Sequence, residues 1–78
     1  MNIDELKIQL RNLGITSQAY SLNGGLPSEK YCLSEESGKW FVYYSERGQR
    51  TGEKSFTNES KAYEYFLGEL KRDPTTRM

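Results

Sequence analysis

A chain of 78 residues, 35% of them hydrophobic and 28% charged, can enclose one small core and leaves no room for a second domain. Lysine and arginine together number 11, as do aspartate and glutamate, so there is no net field to favour nucleic acid or an anionic membrane. With no histidine and one cysteine, Cys32, the chain offers neither a zinc-ligand set nor an internal disulfide. The lone thiol, and the lack of an apolar run near the N-terminus, predict a cytoplasmic protein.

The first predicted element is an amphipathic helix. Apolar residues recur at spacings of three and four from Ile3 to Leu13, which places them on one stripe. Asn2 followed by Glu5 approximates a capping box, and Gly14 supplies a left-handed stop. Both ends of this helix are therefore marked by the sequence.

The middle of the chain predicts an antiparallel meander of three strands. These strands cover residues 30–34, 39–45 and 50–56, and polar turns containing glycine separate them. Residues 20–22 alternate briefly and leave room for a short first strand before the turn-rich segment 23–28. The last strand is polar, as expected at a sheet edge.

A second amphipathic helix follows, with Thr57 as the predicted N-cap and apolar residues at helical spacing from Ala62 to Leu70. Each helix must bury one apolar stripe, so both are expected on the same face of the sheet. The predicted fold is an α+β, two-layer αβββα sandwich. It forms a single domain over residues 1–73, and residues 74–78 are predicted to be a flexible tail.

The central strand divides its aromatic residues between two faces, because side chains alternate along a strand. We assign Trp40, Val42 and Tyr44 to the core under the helices, since Trp with Val makes the more apolar layer. This assignment places Phe41 and Tyr43 on the open face of the sheet.

The sequence contains no pattern that predicts catalysis or a cofactor. Cys32 alternates with apolar neighbours in a strand, which favours a packing role over a nucleophilic one. The segment Gly48–Ser55 resembles a phosphate loop superficially, but its second glycine falls one position early. The paired carboxylates Glu35 and Glu36 lie in a predicted turn with no pocket around them. We therefore expect a protein that is not an enzyme and has no cofactor or metal.

Aromatic residues with arginine, rimmed by charge, are enriched at protein interfaces and their hot spots. Such a set follows the central strand and its turn, although some of its rings could equally belong to the core. The predicted partner-binding residues are Phe41, Tyr43, Glu46, Arg47, Arg50 and Glu53.

The αβββα order is also that of double-stranded RNA-binding domains, which makes RNA an alternative partner. Those domains present lysines to the phosphates from the start of their last helix. Here the corresponding segment has a single lysine, Lys61, countered by Glu59. The charge pattern therefore favours a protein partner over nucleic acid.

Three stretches resemble a group of small bacterial proteins, the immunity proteins of polymorphic or contact-dependent toxin systems. The stretches are Ser21–Leu33, Gly38–Trp40 and Val42–Gly48, within a resemblance that covers residues 3–74. Its most recognisable parts are Gly24–Pro27 and Tyr43–Gly48. The resemblance implies a cytoplasmic protein that binds the toxic domain of a cognate toxin without catalysis. The alternative is a small regulatory interaction domain without a toxin, either monomeric or a weak homodimer through a free sheet edge.

Overall fold

The computed structural model describes residues 1–77 and shows an α+β fold with two helices and one open four-stranded sheet. The elements in chain order are α1 (Ile3–Asn12), β1 (Tyr20–Ser21), β2 (Lys30–Glu36), β3 (Lys39–Glu46), β4 (Gln49–Phe56) and α2 (Glu59–Arg72), with 3-10 turns at Ser17–Ala19 and Pro74–Thr76. Within the described residues, no helix is long and apolar enough to cross a membrane.

The helix ends follow local capping chemistry. Asn2 Oδ1 accepts from the Glu5 backbone N–H at 2.8 Å, and Glu5 Oε1 accepts from the Asn2 backbone N–H at 3.2 Å, which confirms the predicted capping box. At α2 the N-cap is Asn58, whose side chain accepts from the backbone N–H of Lys61 at 3.0 Å. The predicted cap at Thr57 was therefore wrong by one residue.

Strands β2, β3 and β4 form the predicted antiparallel meander. Each hairpin closes with two residues of positive φ, at Ser37-Gly38 (53° and 79°) and at Arg47-Gly48 (53° and 73°). This is the backbone of a type I′ turn, whose twist matches that of the paired strands. The turn type fixes the register that places Cys32 opposite Tyr43.

The short first strand exists, but it pairs in parallel with β2, so the sheet is mixed and the order is β1-β2-β3-β4. The sequence allowed this short strand without predicting its direction. Two parallel neighbours need a connection that returns across one face of the sheet. Residues 22–29 make that connection, and we call them the crossing loop.

The hydrophobic core lies between the helices and one face of the sheet. Leu33 and Val42 supply the sheet side, and Trp40 packs against the same cluster, as predicted. Tyr44 lies on this face too, where it packs edge-on against Tyr31. The helices supply the fully or nearly fully buried residues Leu6, Leu10, Ala62, Tyr63, Phe66, Leu67 and Leu70.

The C-terminal segment is packed against the domain as far as Arg77, which corrects the prediction of a frayed tail from residue 74; Met78 lies outside the described residues. Asp73 caps the turn at Pro74–Thr76 by accepting from the Thr75 backbone N–H at 3.0 Å. Thr76 is 2% exposed, and its carbonyl oxygen accepts from the Thr16 backbone N–H at 2.8 Å. Local capping therefore holds a segment that has no apolar pattern.

Candidate functional site

The crossing loop lies directly on the face of the sheet that the helices leave uncovered. The Gly24 backbone N–H donates to the Leu33 carbonyl oxygen at 3.0 Å, and the Tyr43 hydroxyl donates to the Gly25 carbonyl oxygen at 2.7 Å. A Cβ atom on Gly24 would lie 2.8 Å from Ser34 Oγ, and the residue has φ +66°. Only glycine allows both the approach and the conformation.

The crossing loop covers Tyr43, which the sequence analysis predicts to contact a partner from an open sheet face. Tyr43 is 1% exposed, so its prediction as a contact residue was wrong. Burial raises the pKa of its hydroxyl, which donates to the loop. Tyr43 therefore acts as an anchor for the loop.

Two small residues beside Tyr43 on this face are also fully buried. Cys32 lies directly opposite Tyr43, and burial raises the pKa of its thiol, in accord with a packing role. Ser45 follows two positions after Tyr43, and its Oγ has no hydrogen-bond partner among the described residues. Neither side chain is accessible to a partner.

Arg50 organises the exposed part of the same face. Its guanidinium lies over the Tyr43 ring, with Cζ 4.2 Å from the centroid, and 5.9 Å from the centroid of Phe41. Its Nη2 contacts Glu36 Oε2 at 2.7 Å and its Nη1 contacts Glu53 Oε1 at 2.9 Å. We call these five residues the arginine cluster. The hydrogen bond from Arg50 holds the pKa of the Glu36 carboxyl below its usual range.

The six predicted contact residues therefore do not all lie on one surface. The structure brings together Phe41, Tyr43, Arg50 and Glu53, as one side of the hairpin β3–β4. Glu46 alternates onto the helix side of β3 with Tyr44, and Arg47 occupies the hairpin turn.

The sequence analysis missed two residues, one in the arginine cluster and one in the crossing loop. The sequence predicts a turn at Glu36, whereas β2 extends through this residue and places it on the same face as Ser34. The Ser34 Oγ donates to Glu36 Oε2 at 2.7 Å. Recognising Ser37-Gly38 as a two-residue turn would have found this position. The second is Leu26, which follows Gly25 in the crossing loop and is 53% exposed.

Comparison of the chain with protein-family models, with curated proteins and with solved structures gives no match. Among residues 1–77, no group of three or more His, Cys, Asp or Glu side chains is placed to hold a metal ion.

Proposed function

We propose that this protein is a non-catalytic binding domain of the bacterial cytoplasm that neutralises a toxin by binding its toxic domain. The observation that carries the proposal is the arginine cluster, in which a guanidinium is stacked on one aromatic ring, near another, and held by two carboxylates. Arginine and aromatic residues are the side chains most enriched at binding hot spots. Because ion pairs on both sides fix Arg50, less side-chain entropy is lost when a partner covers it.

An exposed apolar side chain follows the anchored residue of the crossing loop. Leu26 is one of two large hydrophobic residues described as exposed, and the Tyr43–Gly25 hydrogen bond holds the backbone beside it. An apolar side chain on a loop that is fixed at its neighbour suits the centre of an interface, and the surrounding charges suit its rim.

The resemblance to immunity proteins supports this choice of partner. Its two most recognisable stretches, Gly24–Pro27 and Tyr43–Gly48, meet through the same Tyr43–Gly25 hydrogen bond. These residues build the platform that carries Leu26, so the resemblance concerns the presentation of a surface. Glu36 and Glu53 outnumber Arg50 in the arginine cluster, which suits a basic partner such as a nuclease domain.

The alternative of a homodimer through the free edge of β4 has less support. β4 has a neighbour on one side only, but it carries charged residues along its length. Its register also shifts against β3 between Val42 and Tyr44. Charge and irregularity are the features by which edge strands resist pairing with another chain.

The test is co-expression with the toxic domain encoded beside this gene, followed by calorimetry of the purified pair. We expect rescue of growth and a complex of nanomolar affinity, as found for tight standard-size interfaces. Leu26→Arg and Glu53→Lys should each weaken binding by at least about tenfold, because each places an unmatched charge in the interface.

The matched control is Ile8→Arg. Ile8 is 50% exposed, close to the 53% of Leu26, but it lies on α1, on the opposite side of the sheet. This variant should bind as tightly as the parent protein. Failure of the parent protein to rescue growth would refute the toxin partner. Equal losses of affinity from Ile8→Arg and Leu26→Arg would refute the loop and the arginine cluster as the binding surface.

A further inference from the structure

A second candidate site opens on the helix side of the sheet, beside the C-terminal segment. It is a cleft of about 220 Å³ that we call the tyrosine cleft, and its lining includes Tyr31, Tyr44, Glu29, Asp73 and Thr75. The two tyrosines lie directly opposite each other on β2 and β3, with ring centroids 4.9 Å apart and an angle of 66° between the rings. Pockets for drug-sized ligands have volumes of roughly 300–1,000 Å³, so this smaller cleft suits a single side chain.

One carboxylate of the tyrosine cleft is fixed in position and charged. Asp73 Oδ1 accepts from the Thr75 hydroxyl at 2.6 Å and from its backbone N–H at 3.0 Å, and Oδ2 accepts from the Tyr31 hydroxyl at 2.9 Å. These bonds hold the pKa of Asp73 below its usual range. Burial and the neighbouring Asp73 raise the pKa of Tyr31 to about 12.

Carboxylates also affect the pKa of Tyr44, the second tyrosine of the cleft. Burial raises the pKa of the Tyr44 hydroxyl, and the negative charges of Glu29, Glu46 and Asp73 raise it further. One cation lies at the cleft as well, because Lys30 Nζ donates to the carbonyl oxygen of Gln18, a lining residue, at 2.6 Å. The three carboxylates that act on Tyr44 outnumber it, so the tyrosine cleft combines aromatic rings with an excess of negative charge.

Elsewhere in this protein, an arginine side chain occupies a site that has both a tyrosine ring and carboxylates. On the opposite face of the sheet, Tyr43 is covered by the guanidinium of Arg50, which Glu36 and Glu53 hold from either side. Tyr44, the next residue, is also acted on by the negative charges of carboxylates, but no arginine of this chain lies over its ring among the described contacts. We propose that the tyrosine cleft binds an arginine side chain of a partner protein, whose guanidinium lies against the tyrosine rings and pairs with Asp73.

Arginine fits this site better than lysine does. The planar guanidinium can stack on a tyrosine ring while its N–H groups donate to a carboxylate in the same plane. An ammonium group is more strongly hydrated and acts as a point charge, so the rings would contribute less. The proposal rests on the proposed function only in taking the partner to be a protein, and it does not require that partner to be a toxin.

The test is an NMR titration of the intact chain with N-acetylarginine amide, compared with N-acetylcitrulline amide and N-acetyllysine amide. Citrulline has nearly the shape of arginine and carries no charge. We expect saturable shifts of the Tyr31 and Tyr44 ring signals and of the Thr75 amide with arginine, at a dissociation constant on the order of millimolar. Citrulline should produce none, and lysine should bind at least about threefold more weakly.

Two variants assign the binding to its residues. Asp73→Asn removes the charge but keeps an N-cap side chain, so the fold should persist while the affinity for arginine falls at least about fivefold. Tyr44→Leu removes one ring and should cause a similar loss. Glu64→Gln removes an exposed carboxylate of α2 outside the cleft, and it should leave the affinity unchanged.

Equal shifts with arginine and citrulline, or shifts centred elsewhere, would overturn the proposal. Equal binding of lysine would overturn the assignment to arginine. The titration uses a small amide and no toxin. A positive titration together with a failed growth rescue would therefore support the arginine site and refute only the toxin as the partner.

Discussion

The two faces of the sheet are buried by different means. On the helix side, Leu33 and Val42 meet large apolar side chains of both helices, so the hydrophobic effect dominates there. On the loop side, Tyr43 is buried as completely but is held by a hydrogen bond to Gly25 and by the backbone approach at Gly24. A chain of 78 residues can thus bury part of a second sheet face without a second layer of helices or strands.

This difference affects what each side exposes. On the helix side, Leu33 and Val42 are covered by both helices, and the tyrosine cleft lies outside this core. The loop side exposes Leu26 and the arginine cluster on a framework of specific contacts. Substitutions in the core of the helix side should therefore lower global stability, and substitutions at the crossing loop should lower local hydrogen-exchange protection more than global stability.

The largest expected effect belongs to the helix side. Phe66 is fully buried, with its ring edge-on to Tyr20 at a centroid distance of 6.3 Å. Phe66→Ala should lower the free energy of unfolding by about 3–5 kcal/mol, because it removes a large apolar side chain and leaves a cavity. Urea denaturation followed by circular dichroism measures this loss. A loss below about 1 kcal/mol would show that the core collapses around the cavity and is less tightly packed than the structure indicates.

A smaller loss is expected where the crossing loop touches the sheet. Gly24→Ala introduces a Cβ 2.8 Å from Ser34 Oγ, in addition to a positive φ that costs alanine about 1–2 kcal/mol. Gly25→Ala is the matched control, because Gly25 also has a positive φ, of +82°, but its Cβ would meet only Pro27 Cδ at 3.8 Å. We expect Gly24→Ala to cost at least about 1 kcal/mol more than Gly25→Ala in the same denaturation experiment.

Hydrogen exchange adds the readout that distinguishes the two faces. In Gly24→Ala the amide of residue 24, which donates to Leu33, should lose protection more than the amides of α2 do. Equal costs for the two alanine variants would mean that the crossing loop moves away from Ser34 freely. The loop would then be a mobile segment, and the loop side would not be a preformed surface.

Most of the helix side could be predicted from the sequence, because periodicity and alternation act over a few neighbouring residues. The stripe of α1, its Asn2–Glu5 cap and the placement of Trp40 and Val42 toward the helices all follow from such short-range patterns. The loop side depends on a contact between distant segments. Nothing local in Tyr43 indicates that its hydroxyl will meet Gly25, 18 residues earlier in the chain.

The part of the candidate site that depends on neighbouring residues was predicted, and the part that depends on distant contacts was not. Phe41, Arg50 and Glu53 share a face through one hairpin, and strand alternation places them together. The parallel pairing of β1 could not be inferred from the two residues Tyr20–Ser21, and it is this pairing that sends the crossing loop over Tyr43. A two-residue strand carries too little pattern to reveal its direction.

The smallest expected effect tests whether the loop side is fully satisfied. Ser45 is fully buried, and its Oγ has no hydrogen-bond partner among the described residues. Burying an unpaired hydroxyl is unfavourable, so Ser45→Ala should leave the free energy of unfolding unchanged or raise it by up to about 1 kcal/mol. Thr76→Val is the matched control, because the Thr76 hydroxyl is also buried but lies 2.8 Å from the carbonyl oxygens of both Leu70 and Asp73. It should cost about 1–2 kcal/mol. If Ser45→Ala costs as much as Thr76→Val, the Ser45 hydroxyl has a partner in solution, such as a buried water, and the loop side is held by at least one further hydrogen bond.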